Sequence, residues 1–296
     1  MYRTFVSALT ALALAPLTLA DPINLAPKFE VGRSTKYRYA SETSQKFIVS
    51  GREQGAGSSS SDTRATLTVD SVDDQNAVIT VVFDSAVIEG KTAQLDVVFD
   101  SSLPPERDPP TPLSVAIRSF IGQPVKCIVS LDGALIRVEP GFDYLPKDDR
   151  ARRLALQYLS EPNLRWLIDT VYLAKTDPST TNVGENWTRT RTESHPLGSL
   201  RTIQTYTVNT DNAGLADITI KGTDEVQKLV GVGAGQGAEN VEHLPGEITG
   251  TLRWDSNRGQ ADRFEITTKS EDVERHPQAG EIRKIVVQNI IVERLG

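Results

Sequence analysis

Residues 66–82 read TLTVDSVDDQNAVITVV, and residues 205–221 read TYTVNTDNAGLADITIK. Set one above the other without a gap, they share Thr66/Thr205, Thr68/Thr207, Val69/Val208, Ala77/Ala216, Ile79/Ile218 and Thr80/Thr219. In both, a run of alternating apolar and β-branched residues is interrupted by a polar turn and then resumes, which is the pattern of strand, turn, strand. The surroundings follow the same order. Val31-Gly32 precedes the first stretch and leads into Tyr37 and Tyr39, while Val183-Gly184 precedes the second and leads into Trp187. A hairpin at Asp132-Gly133 follows the first, and one turning between Asp255 and Gly259 follows the second. The reading is one antiparallel meander used twice.

Strand periodicity dominates the rest of the chain. Ala93, Leu95, Val97 and Phe99 alternate with Gln94, Asp96 and Asp100, and Ile248, Gly250, Leu252 and Trp254 alternate with Thr249, Thr251, Arg253 and Asp255, so each segment predicts a strand with one wet face. Val78 to Phe83 and Ile285 to Val292 are nearly apolar on both sides, which predicts strands covered on both faces. Lys126 to Glu139 predicts a hairpin with Asp132-Gly133 as a two-residue turn. The stretches Gly55 to Ser61, Leu103 to Pro112 and Gly231 to Gly246 predict loops.

Helical spacing occurs in three places. Leu113, Ala116, Ile117, Phe120 and Ile121 fall on one stripe, with Thr111 placed as the cap and Pro112 at the first helical position. A second helix is predicted from about Asp148 to Leu159, and Leu164, Leu167, Ile168, Val171 and Tyr172 mark a third with Pro162 near its start. Their apolar stripes need a partner surface, and the sheet supplies it.

The first twenty residues have the layout of an export signal: Arg3, a short apolar run from Phe5 to Ala15, then Thr18-Leu19-Ala20 as small residues at a cleavage point. Pro16 ends the apolar run well short of the roughly 20 residues a membrane-spanning helix needs. No cysteine stands at the cleavage point to carry a lipid, since the one cysteine is Cys127. The expectation is an exported chain, periplasmic or secreted, without a membrane span. Its net charge of −7 and the lack of any basic block exclude nucleic acid and anionic lipid surfaces as partners. With one cysteine no internal disulfide can form, so a large apolar core must stabilise the fold. Cys127 shares a strand face with Val125 and Val129, as a buried unreactive thiol would.

Gly32-x-x-x-x-Tyr37-x-Tyr39 at the start of the first half and Val183-Gly184-x-x-Trp187 at the start of the second resemble an exported bacterial domain family of unknown function. That family has two β halves and a Val-Gly-[Asp/Glu]-x-Trp signature between them. The resemblance spans most of the chain beyond the signal and implies a shape like the curved, incompletely closed sheets of periplasmic lipoprotein carriers, which shelter an acyl chain between sheet and helices. It names no activity. The chain departs from many such carriers in lacking the anchor cysteine.

Patterns that would carry chemistry are weak. His195 and His276 directly precede prolines and His243 is two residues from Pro245, which places them in loops without the close spacing of a metal site, so no metal is expected. Ser58 to Ser61 lie in a predicted loop with no Gly-x-Ser-x-Gly turn to activate a nucleophile. Gly233-x-Gly235-x-x-Ala238 has dinucleotide-like spacing, but no helical pattern follows it. Asp73-Asp74 and Glu271-Asp272 point to opposite faces of strands, and Asp148-Asp149 suits the start of a helix. No cofactor is expected. Asn186-Trp187-Thr188 is a glycosylation sequon that matters only in a cell with that machinery.

Taken together, the sequence predicts a mainly β fold with minor α content. Two related meanders, about 21–145 and 180–296, form one strongly curved sheet or incomplete barrel within a single domain, and a helical segment of about 146–175 joins them, its helices packed on the concave side. The expected role is non-catalytic binding of a lipid or hydrophobic segment, with Tyr37, Tyr39, Trp187 and Trp254 as candidate lining residues. The alternative is an assembly protein that pairs with other envelope proteins through sheet edges and loops, and the third reading is a hydrolase whose site is built from distant residues.

Overall fold

The computed structural model describes residues 22–91, 96–174, 179–195, 198–228, 241–276 and 280–296. The export signal at 1–20, the Gly233-to-Ala238 motif and the start of the Ala93 strand lie outside them. In chain order the elements are β1 (Ile23–Asn24), β2 (Ser34–Val49), β3 (Arg52–Val72), β4 (Asn76–Lys91), β5 (Asp96–Asp100), α1 (Pro112–Phe120), β6 (Pro124–Ser130), β7 (Leu135–Val138), α2 (Asp149–Tyr158) and α3 (Glu161–Val171). They continue with β8 (Thr180–Thr181), β9 (Asn186–His195), β10 (Gly198–Asn212), β11 (Leu215–Lys228), β12 (Val241–Asp255), β13 (Gln260–His276) and β14 (Gly280–Leu295).

Among the described residues twelve strands make one antiparallel sheet in the order β7-β6-β4-β3-β2-β14-β13-β12-β11-β10-β9, with β5 added beside β4. The sheet is curved and does not close. Read across it, β7-β6-β4-β3-β2 and β13-β12-β11-β10-β9 run in the same sequential sense, with β14 between them. The two hairpins that align in sequence are also built alike. Gly32 N donates to Val69 O at 2.8 Å and Gly184 N to Val208 O at 2.8 Å, while Val69 N returns to Arg33 O and Val208 N to Glu185 O, both at 3.0 Å. Both glycines sit at positive φ, +84° and +89°, where a side chain is disfavoured. The pairing register slips directly after Val69 in one hairpin and directly after Val208 in the other.

Burial follows the period of two. Leu67, Val69, Ile79 and Val81 point to one face and are buried, as are Ile218, Ile220, Leu252 and Trp254. Cys127 is buried beside Val125 and Val129, and burial alone pushes its thiol up to about 12, so it stays protonated. Three sequence expectations are corrected. Gly55 to Ser61 belong to the 21-residue β3, because pairing with β2 on one side and, from Ser58 onward, with β4 on the other satisfies a backbone whose side chains alone signal a loop. The Asp132-Gly133 turn is longer than two residues, with Ser130 N bonded to Ala134 O. On β14 most residues from Ile282 to Asn289 are half-buried on both faces, so that apolar run is not covered on both sides.

The helices form where predicted. Thr111 Oγ1 accepts from Ser114 N at 3.2 Å and Asp148 Oδ1 from Ala151 N at 2.8 Å, each satisfying an open amide of a first turn. Leu164, Leu167, Ile168 and Val171 of α3 are buried, and such a side chain contributes about 1.5–3 kcal/mol when fully removed from water.

Two glycines stand where neighbouring strands approach most closely. A Cβ on Gly222 would lie 2.2 Å from Ile203 O and one on Gly250 2.3 Å from Glu265 O, whereas one on Gly55 would meet nothing within 4 Å. At the first two positions a carbonyl of the adjacent strand occupies the place of a side chain, which only glycine allows. Gly250→Ala is therefore expected to lower stability by about 1–3 kcal/mol in chemical denaturation, and Gly55→Ala by less than about 0.5 kcal/mol.

Candidate functional site

Long strands and short helices leave a cavity between them. It measures about 240 Å³ and lies under α1, the end of α2 and the start of α3, against β2, β3 and β4. Tyr37, Tyr39, Ala65, Phe83, Ala86 and Ile88 line it from the sheet, and Ile117, Phe120, Tyr158, Leu164, Trp166 and Leu167 from the helices. Ser41, Ser61, Thr63 and Asn163 add polar groups to its lining, and among the described residues no charged one lines it. Its volume falls just below the roughly 300–1,000 Å³ usual for ligand pockets.

Aromatic contacts tie the helices to the sheet around this space. The ring of Trp166 meets that of Tyr39 edge-on at 5.4 Å and that of Phe264 at 6.1 Å. Phe120 meets Phe83 at 5.5 Å and Tyr158 at 6.0 Å. Such pairs add about 0.5–1.5 kcal/mol each to the burial of their area. Tyr37 donates its hydroxyl to Ala261 O at 3.0 Å, and burial pushes its phenol far above the ordinary range. The Tyr39 phenol is also raised, first by burial. Both are neutral hydroxyls at physiological pH.

Of the four residues singled out in the sequence, the structure brings two to the cavity. Tyr37 and Tyr39 line it two residues apart on β2. Trp187 and Trp254 do not. Trp187 stacks on Tyr206 with centroids 5.1 Å apart, and Trp254 is fully buried with its indole N–H donating to Asn24 O at 2.9 Å. They pack core because their strands lie on the far half of the sheet from α1. Sequence reading missed Trp166, Phe120 and Tyr158. Helical spacing identified Phe120 as part of a stripe, but no sequence signal says that a stripe covers a hollow.

Two of the remaining motifs sit in local hydrogen-bond networks. Asp73 Oδ1 accepts from Gln75 N and Asn76 N, a turn cap that lowers its pKa. His243 is in β12 rather than a loop, its Nδ1 2.7 Å from Asp272 Oδ1, while Asp224 Oδ1 accepts from Gly246 N at 2.7 Å. Among the described residues no cluster has the make-up of a metal site, and no helix is long and apolar enough to cross a membrane.

The two edges of the open sheet meet at α3. Asp169 Oδ1 accepts from Leu135 N of β7 at 3.1 Å, its Oδ2 lies 3.6 Å from Arg191 of β9, and Arg165 donates to Leu135 O. Arg189 of β9 donates to Ala174 O just after the helix. The first strand of the sheet and the last are thus both anchored to one helix.

No protein-family model matches the chain, and no curated protein does. Among solved structures, lipovitellin, described for its lipid–protein interactions, is similar with a TM-score of 0.51 and 10% identity over 91% of this chain. The chain spans 26% of lipovitellin's length. That likeness is one of fold. An outer-membrane channel from Pseudomonas putida (7% identity, 91% of this chain and 98% of that one) and the outer-membrane protein OprG from Pseudomonas aeruginosa (6%, 90% and 99%) have TM-scores of 0.24 and 0.16, too low to bear on the architecture.

Burial raises the pKa of Asp169, an effect that the Leu135 N–H and the neighbouring arginines offset only in part. Its carboxyl holds a proton more readily folded than unfolded. Its contribution to stability is therefore fully present below the unfolded aspartate pKa and is lost as pH rises through the raised folded one. Measured against Asp169→Asn, the native chain should gain thermal stability as pH is lowered from about 7 to about 4. A difference that does not change with pH would refute this.

Proposed function

We propose that this chain is a non-catalytic, exported binding protein that holds an apolar chain, such as the acyl tail of a lipid, between its curved sheet and its helices. The observation that carries this reading is the cavity: an uncharged, aromatic-lined and largely apolar space at the interface of two layers. An ionised group inside it would lose its water without gaining a partner, so the part of a ligand that enters is hydrocarbon. The fold likeness to lipovitellin, itself a lipid-interacting protein, is consistent with this use of a large curved sheet. The matching strand order and turn hydrogen bonds of the halves support a duplicated unit, with a cavity developed in one copy. The layout of residues 1–20 supports export.

A second reading has its own observation. β9 pairs with β10 on one side, and no strand among the described residues pairs with its other side, so along Asn186–His195 one edge is open to a further strand from a partner. An oligomer or a stable partner complex that Thr190→Pro on this edge disrupts, with no small ligand bound, would favour assembly.

The direct test uses an apolar fluorescent probe such as N-phenyl-1-naphthylamine. Ala86→Phe, which fills the cavity from β4, should weaken probe binding by about tenfold or more, a loss of about 1.4 kcal/mol. Val115→Ser, at an exposed site on α1, should leave binding unchanged. Equal binding by both variants would place the probe elsewhere.

A further inference from the structure

The cavity occupies only one end of long strands, and the described residues leave the sheet's inner face beyond it accessible. Register defines that face. Tyr39 of β2 lies opposite Thr63 of β3 and Val292 of β14, and Val292 lies opposite Phe264 of β13, the row on which Trp166 sits. Three further rows follow in the direction of Val49. Ser41 aligns with Ser61, Ile290 and Ile266, then Thr43 with Ser59, Gln288 and Thr268, then Gln45 with Gly57, Val286 and Ser270. Charge returns only in the next row, where Phe47 aligns with Lys284 and Asp272. At about 3.3 Å per residue, the stretch from Ser41 to Phe47 is roughly 20 Å long.

Within those rows the inner face of β2, β3, β14 and β13 carries hydroxyls, amides, glycine and aliphatic groups, and no charge. The opposite face of the same segments is charged, with Glu42, Lys46, Asp62, Glu265, Lys269 and Glu271. Charge is thus sorted by face, which the chain's overall 24% of charged residues does not require. The floor is accessible, since Thr43, Gln45, Thr268 and Gln288 are half-buried and Ser59 is exposed. It begins at Ser41 and Ser61, which also line the cavity.

We propose that this floor seats the headgroup of the bound amphiphile and that the headgroup is neutral and hydroxyl-rich, chemically a glycoside rather than a phosphate or carboxylate. The inference rests on the acyl-chain reading above and adds the ligand's polar half. Serine, threonine and glutamine side chains donate to and accept from sugar hydroxyls, and a neutral headgroup leaves no ion without a counter-charge when it displaces water from the floor. An ionic headgroup laid there would find no partner until Lys284 or Asp272.

The test compares dodecyl maltoside and dodecyl phosphate, each below its micelle concentration, and dodecanol below its solubility limit, by titration calorimetry and native mass spectrometry on the full chain. The maltoside should bind at least about tenfold more tightly than the phosphate. Replacing Thr43→Lys and Ser59→Lys, both at accessible positions, should reverse that order while dodecanol binding is retained. Should the maltoside and phosphate bind equally, or should the double variant leave their order unchanged, the floor has no role in recognition and this proposal fails, although chain binding stands. Failure of all three, dodecanol included, would overturn the acyl-chain reading and this proposal together.

Discussion

An open sheet must end, and here both ends are fastened to the same helix. Asp169 accepts from the amide of Leu135 on β7 and pairs with Arg191 on β9, while Arg165 and Arg189 complete the clasp through backbone carbonyls. Exposed strand edges invite pairing with other chains, and on β7 the side chains of Asp169 and Arg165 occupy the amide and carbonyl of Leu135, which removes that template there, whereas β9 is held by its arginine side chains and, among the described residues, keeps its backbone edge free. The clasp also fixes how far the sheet curls, because α3 can reach β7 and β9 at once only if the sheet bends around it. The cost is a carboxylate held where burial disfavours its charge.

Curvature and strand length then decide where a cavity lies. Strands of 14 to 21 residues are far longer than helices of 9 to 11, so the helices can cover only part of the inner face. Under α1 and α3 the aromatic pairs Trp166–Tyr39 and Phe120–Phe83 hold the layers apart at ring width, and small residues opposite them, Ala65 and Ala86, leave the space unfilled. A larger side chain at either alanine would have taken up part of this space. The far half of the sheet shows that alternative, with Trp187 stacked on Tyr206 and Trp254 sealed against the chain near Asn24.

The matched halves therefore end in different uses of one hairpin plan. The Gly32 and Gly184 turns and the slips after Val69 and Val208 are alike, and it is the first hairpin that lines the cavity under α1. All three histidines that sequence reading placed in loops lie in strands, His195 and His276 at the ends of β9 and β13, and His243 joins β12 to β13 through Asp272.

By itself the sequence determined the local order of this protein. Alternation in segments such as Ile248 to Trp254 marked strands, the Thr111-Pro112 and Asp148 signals marked helix starts, and the paired Val-Gly turns marked equivalent hairpins, because each is set by neighbours a few residues away. Ser58 to Ser61 escaped that reading. Their place in β3 depends on flanking strands, and partner pairing overrides weak propensity. Tyr37 and Tyr39 were legible as inward aromatics, but the sequence did not distinguish them from Trp187 and Trp254. That distinction came from which half of the sheet the helices cover, a long-range fact of packing. So did the meeting of the sheet's two edges on Asp169 and the sorting of charge away from the inner floor, since each joins residues far apart in the chain that only the curved sheet brings together.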